Sequence, residues 1–119
     1  MATQTRNVLL VNGTDENAWV DRLRMVVSQL GRLDIVQKSE TLDQMRRLRY
    51  DIVVVDETQL IQSYEFISQI LRFSPGIRVV VVSEISDWHR ARQAFQAGAA
   101  DFILASANPE ELLIVLREV

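Results

Sequence analysis

The chain has 119 residues, which is near the size of one compact domain: enough to bury a core and too few for two. A hydrophobic fraction of 48% with 24% charged residues excludes a disordered or fibrous chain, and the lack of cysteine excludes disulfides, thiolate metal sites and thiol nucleophiles. The formal charge of −3 argues against an electrostatic grip on nucleic acid, because backbone binding needs a clustered positive surface. Residues 1–6 are polar with no apolar signal core behind them, and no apolar run approaches the roughly 18 residues of a membrane span, so a soluble, cytoplasmic protein is expected.

In chain order, the apolar residues 8–11 are stopped by Asn12-Gly13 and predict a short buried strand. Trp19, Leu23, Val26, Val27 and Leu30 then recur at helical spacing, with Thr14 or Asp15 as the cap and Gly31 marking the end. Residues 33–36 read as a weaker strand and residues 41–49 as a short helix with Leu42, Met45 and Leu48 inward. Asp51-Ile52-Val53-Val54-Val55-Asp56 is β-branched almost throughout without polar alternation, the pattern of a central parallel strand covered on both faces. A third helix spans residues 63–73 with Phe66, Ile67, Ile70 and Leu71 inward, and Ser74-Pro75-Gly76 breaks it. Residues 77–82 form a second buried strand. Ser86 or Asp87 opens a fourth helix with Trp88, Ala91 and Phe95 as its inward stripe, closed by Gly98. Residues 101–104 are the last strand, and Asn108-Pro109 caps a helix that runs to residue 119.

Five strands alternating with five helices imply an α/β fold of (βα)5, flavodoxin-like type: a five-stranded parallel sheet with helices on both faces. Its functional crevice is expected at the carboxyl ends of the strands, near Asn12, Asp56, Ser83 and Ala105. One domain over residues 1–119 is expected, as the N-terminal part of a longer regulator.

These residues resemble the receiver domain of bacterial response regulators over nearly the whole chain. Asp56, closing Tyr50-Asp51-Ile52-Val53-Val54-Val55-Asp56, takes the place of the family's phosphoacceptor; Ser83 takes that of its switch hydroxyl and Phe102 that of its switch aromatic. The run Ala97-Gly98-Ala99-Ala100-Asp101-Phe102-Ile103-Leu104 and the helix opening Pro109-Glu110-Glu111-Leu112 carry the most specific likeness. The departures concern chemistry. Where the resemblance implies an acidic pair holding Mg²⁺, the chain has Asn12 and Gly13; where it implies a lysine at the end of the fifth strand, Ala105 and Ser106 stand; and Glu84 follows the hydroxyl where a small residue is usual. Phosphoryl transfer depends on positive charge near the moving group, and both cationic elements are weakened here, so Mg²⁺ binding is expected to be weak or absent and no cofactor is assigned.

Ordinary explanations compete for several of these residues. Asp56 by itself could be a turn former, Asp15 reads as a cap, His89 as a solvated side chain, and Arg46, Arg47 and Arg49 as a solvated helix face. Residues 112–116 are five consecutive apolar side chains, more than one stripe needs, so Ile114 is either an isolated exposed residue or part of a contact surface. The expected function is that of a degenerate, non-enzymatic receiver acting by protein contact with a partner or output domain. Its interaction face includes Trp88 and Ile114, and a homodimer through the fourth helix, fifth strand and fifth helix is one form of it. The alternatives are a phosphorylatable receiver using Asp56 with help from Asp15 or Glu57, and a small-ligand sensor at the crevice. No direct nucleic-acid or membrane partner is expected.

Overall fold

A computed structural model of the chain describes residues 5–11, 18–57 and 63–119. Within them β1 (Val8–Val11), α1 (Ala18–Val27), β2 (Leu33–Val36), α2 (Thr41–Arg47), β3 (Ile52–Asp56), α3 (Ser63–Phe73), β4 (Arg78–Ser83), α4 (Trp88–Ala97), β5 (Asp101–Leu104) and α5 (Pro109–Glu118) follow one another, with a 3-10 turn at Lys38–Glu40 ahead of α2. The strands form one parallel sheet in the order β2-β1-β3-β4-β5. The chain winds outward from β1 to β2 and then crosses back to β3, so the carboxyl ends of β1 and β3 border a crevice at the point where winding reverses.

Strand alternation divides the core in two. Val8, Leu10, Ile52, Val54, Val80 and Val82 meet Trp19 and Leu23 of α1 and Leu112 and Leu116 of α5 on one face. Leu9, Val11, Val53, Val55, Val79 and Val81 meet Phe66, Ile67 and Ile70 of α3 and Ala94 of α4 on the other. With both faces covered, β1 and β3 are buried at every residue, which is why neither shows polar alternation. The edge strands β2 and β5 are half-buried throughout.

Several expectations need correction. The second helix stops at Arg47, and Leu48, expected inward, is extended and exposed; Thr41 is buried instead, its hydroxyl donating to the Gln37 carbonyl at 3.1 Å. The fourth strand begins one residue later than expected, at Arg78, and takes in Ser83. The inward stripe of α4 is wrong: Trp88 is 64% and Phe95 48% exposed, while Ala94 is buried. The buried stripe runs instead through half-buried Ala91 and Ala97 and buried Ala94, all small, and Trp88 and Phe95 fall beside it. At the end of the helix a Cβ on Gly98 would lie 2.4 Å from Leu71 Cδ1, so α4 and α3 approach closely there. Gly98 has φ 111 and serves as the expected left-handed cap. Asp87 and Asn108 cap α4 and α5 by accepting the N–H groups of His89 and Glu111, each at 2.9 Å. The cap expected from Thr14 or Asp15 lies outside the described residues.

Candidate functional site at the carboxyl end of the sheet

Three of the four expected crevice residues converge. Asp56 closes β3 opposite Val82, Ser83 closes β4 opposite Leu104, and Ala105 donates its N–H to the Ser83 carbonyl at 2.8 Å. Asn12 and Gly13 lie outside the described residues, as do Asp15 and Glu16. Asp56 is 1% and Ser83 0% exposed. The Ser83 hydroxyl is closed on its own turn, accepting the Ile85 N–H at 3.1 Å and facing the Ile85 carbonyl as donor at 3.2 Å. Glu84 is exposed, and Phe102 is half-buried on β5 against the core shared with α3 and α4.

Sequence reasoning missed a cation at this end. Arg22 of α1 donates from Nη2 to the Ala105 carbonyl, and its Nε is buried with no hydrogen-bond partner among the described residues. A guanidinium thus reaches the end of β5 from a neighbouring helix, although its visible bond is to backbone. A signal existed: Arg22 lies beside Leu23 and three residues after Trp19, on the buried side of α1.

Glu57, expected only as a possible helper of Asp56, has different partners. It follows Asp56 and by alternation turns to the other face, towards α3 and α4. Its side chain is 4% exposed; its Oε1 accepts the Tyr64 hydroxyl from α3 and lies 3.3 Å from Arg90 Nη1 on α4. Arg90 Nε is in turn 4.0 Å from Asp87 Oδ2. Burial, and then the adjacent Glu57 carboxylate, push the Tyr64 phenol well above its ordinary range. Tyr50 is raised in the same way, by burial and then by donation to Asp34. The chain has two tyrosines, so both are affected. Because their folded values exceed the unfolded 10.0, the stability they contribute is complete below that pH and is lost as pH rises through the folded values. Spectrophotometric titration should therefore show less than half the tyrosine ionised at pH 10.0 while the chain stays folded, whereas the urea-unfolded chain is half-titrated there. Half-ionisation at that pH with native circular dichroism would refute it.

Away from the crevice, α4 exposes an apolar surface. Trp88, Ala91, Arg92, Phe95 and Gln96 line an open hollow of about 600 Å³; His89 stacks on Trp88 with centroids 4.3 Å apart, and the Arg92 guanidinium lies 5.9 Å from the Trp88 ring. A second hollow of about 410 Å³ runs between β5 and the start of α5. Ile114 on α5 is 55% exposed, whereas Leu112 and Leu116 are buried. Arg46, Arg47 and Arg49 are exposed, Arg46 lying 3.5 Å from Asp43 and over the Phe73 ring.

A parallel five-stranded sheet in this order, with an aspartate ending β3 and a hydroxyl ending β4, defines a receiver-type α/β domain. The chain belongs to the response regulator receiver domain family, which matches residues 10–117. It is similar to the chemotaxis protein CheY of Thermotoga maritima, 27% identical over 81 residues that cover 67% of this chain and 68% of that protein. In three dimensions it resembles a response regulator from Thermotoga maritima, with a TM-score of 0.86 at 23% identity and 96% of each chain covered. The chemotaxis protein CheY4 of Vibrio cholerae gives a TM-score of 0.82 at 17% identity, covering 97% of this chain and 98% of that one. Receiver domains are signal-transduction modules of two-component systems and act through protein partners and output domains. Among the described residues no helix is long and apolar enough to cross a membrane.

Proposed function

We propose that this receiver domain works as a protein-interaction module without ordinary Mg²⁺-dependent phosphorylation of Asp56. The observation that carries the reading is the end of β5, where Ala105 offers a methyl group in place of a lysine and its carbonyl holds the Arg22 guanidinium. The donor set supports it. Among the described residues no three acidic or histidine side chains converge, and Glu57, the nearest spare carboxylate, is turned to α3 and compensated by Arg90. These residues do not fit a hard octahedral cation, which wants several carboxylate oxygens at one point.

The contact surface in this reading is the face made by α4, β5 and α5, with Trp88, Phe95 and Ile114 exposed on it, and its occupant is a second copy of the chain. With no phosphoryl group to bias two states, the face is presented permanently. One observation favours the competing reading of a phosphorylatable receiver: Arg22 brings positive charge to the strand ends from α1. Incubation with acetyl phosphate and Mg²⁺ separates the two. The intact mass is expected to stay unchanged; a stable gain of one phosphoryl group that vanishes in Asp56→Asn would establish the competing reading.

A further inference from the structure

Helix α4 is held to the body of the domain by unusually little apolar burial. Of its ten residues only Ala94 is buried, whereas α1, of equal length, buries Trp19, Val20, Leu23, Val26 and Val27. Its carboxyl end is fixed by the contact of Gly98 with Leu71. Its amino end carries Trp88, 64% exposed, which contributes little to docking. What reaches the body from that end is Arg90, and what it reaches is Glu57.

A carboxylate with a side-chain exposure of 4% is costly to bury unless its charge is compensated, and one of its oxygens, Oε2, has no hydrogen-bond partner among the described residues. Compensation falls on Oε1, from the Tyr64 hydroxyl of α3 and the Arg90 guanidinium of α4. Three elements, the end of β3 and the first turns of α3 and α4, therefore meet at one buried charge. We propose that Glu57 is the positioning residue of the α4 face: through Arg90 it clamps the start of α4 to the end of β3 and so sets how Trp88, Ala91 and Phe95 are presented. This deepens the reading of α4 as a contact surface and rests on that reading for its consequence. Asp87, which caps α4 and lies 4.0 Å from Arg90 Nε, holds the guanidinium from the helix side and aims its other end at Glu57.

Arg90→Met tests the clamp without threatening the fold, since the Arg90 side chain is 40% exposed and methionine keeps its aliphatic length. Hydrogen exchange should accelerate across α4 by about tenfold or more while α1 stays as in the wild type, because a local opening involves only the element released. Glu57→Gln should loosen the same segment, the double variant should add little to the larger single effect, and Arg90→Lys, which retains the charge, should restore part of the protection. Wild-type exchange over α4 in Arg90→Met would overturn the clamp, and so would an equal rise in α1 and α4, which would mark a general loss of stability. Sedimentation of the same variant distinguishes the two levels. If α4 loosens and association weakens, clamp and surface both stand; if α4 loosens with association unchanged, the clamp stands and the contact-surface reading fails.

Discussion

If the α4, β5 and α5 face pairs two copies as proposed, replacing Ile114 by glutamate is expected to leave the chain monomeric. Around α5 the apolar residues divide by helical period: Leu112 and Leu116 face the sheet and α1, Leu113 and Val115 flank them half-buried, and Ile114 points away at 55% exposure. If that side chain meets a second copy, the substituted carboxylate is taken out of water with no cation to meet it, at a cost of about 3 kcal/mol, or on the order of a hundredfold in the dissociation constant. Because Ile114 contributes little to the monomer's own core, the thermal midpoint measured at dilutions where the wild type is dissociated should move little, as is usual for a surface substitution. Sedimentation equilibrium over a concentration series, without phosphodonor, reads the effect. A wild-type chain that stays monomeric at high concentration, or a variant that associates equally well, would remove this surface from the functional account.

The largest expected loss of stability from a single methyl group is at Gly31. The chain leaves α1 at Val27 and passes through a turn in which the Gly31 N–H reaches the Val27 carbonyl at 2.9 Å and the Leu30 carbonyl accepts the Arg6 N–H at 3.0 Å. This draws the lead into β1 across Gly31. A Cβ there would lie 2.3 Å from the Arg6 carbonyl oxygen and 2.9 Å from its carbon, and both are backbone atoms that no side-chain rotation can move. Gly31→Ala should therefore cost about 3 kcal/mol by breaking the Arg6 to Leu30 bond or displacing the start of β1. Gly76 supplies the control: nothing lies within 4 Å of its would-be Cβ, so Gly76→Ala should be neutral or stabilise by about 0.5 kcal/mol through the unfolded state. Urea titrations should show a lower midpoint at unchanged slope for Gly31→Ala and no such fall for Gly76→Ala. Equal midpoints would mean that the turn yields more readily than its contacts suggest.

Gly31 also shows what a sequence can and cannot convey. Its place after an apolar helical stripe suggested a left-handed helix cap, the role that Gly98 does play at φ 111, whereas the pressure on Gly31 comes from a segment 25 residues earlier in the chain. The same division runs through α4. Helical periodicity alone was compatible with Trp88, Ala91 and Phe95 facing inward, but the packed helix turns the small side chains Ala91, Ala94 and Ala97 to the body and leaves Trp88 and Phe95 in solvent. That reversal moved Phe95 from the core to the candidate contact surface.

What the sequence by itself determined is whatever depends on local chain chemistry: the span of α3, the caps at Asp87 and Asn108, the strands β1 and β3 whose unbroken apolar character requires cover on both faces, and hence the alternating order from which a parallel sheet follows. Asp56, Ser83 and Ala105 were legible because they sit at strand ends, and a parallel sheet brings its strand ends together whatever the details. Only the tertiary structure decided which groups each buried charge meets. Arg22 is 83 residues from Ala105, and Arg90 is 33 from Glu57 by number, so no periodicity links either pair. Their encounters follow from which helix packs on which face of the sheet, and burial then makes each charge depend on the partners that packing delivers.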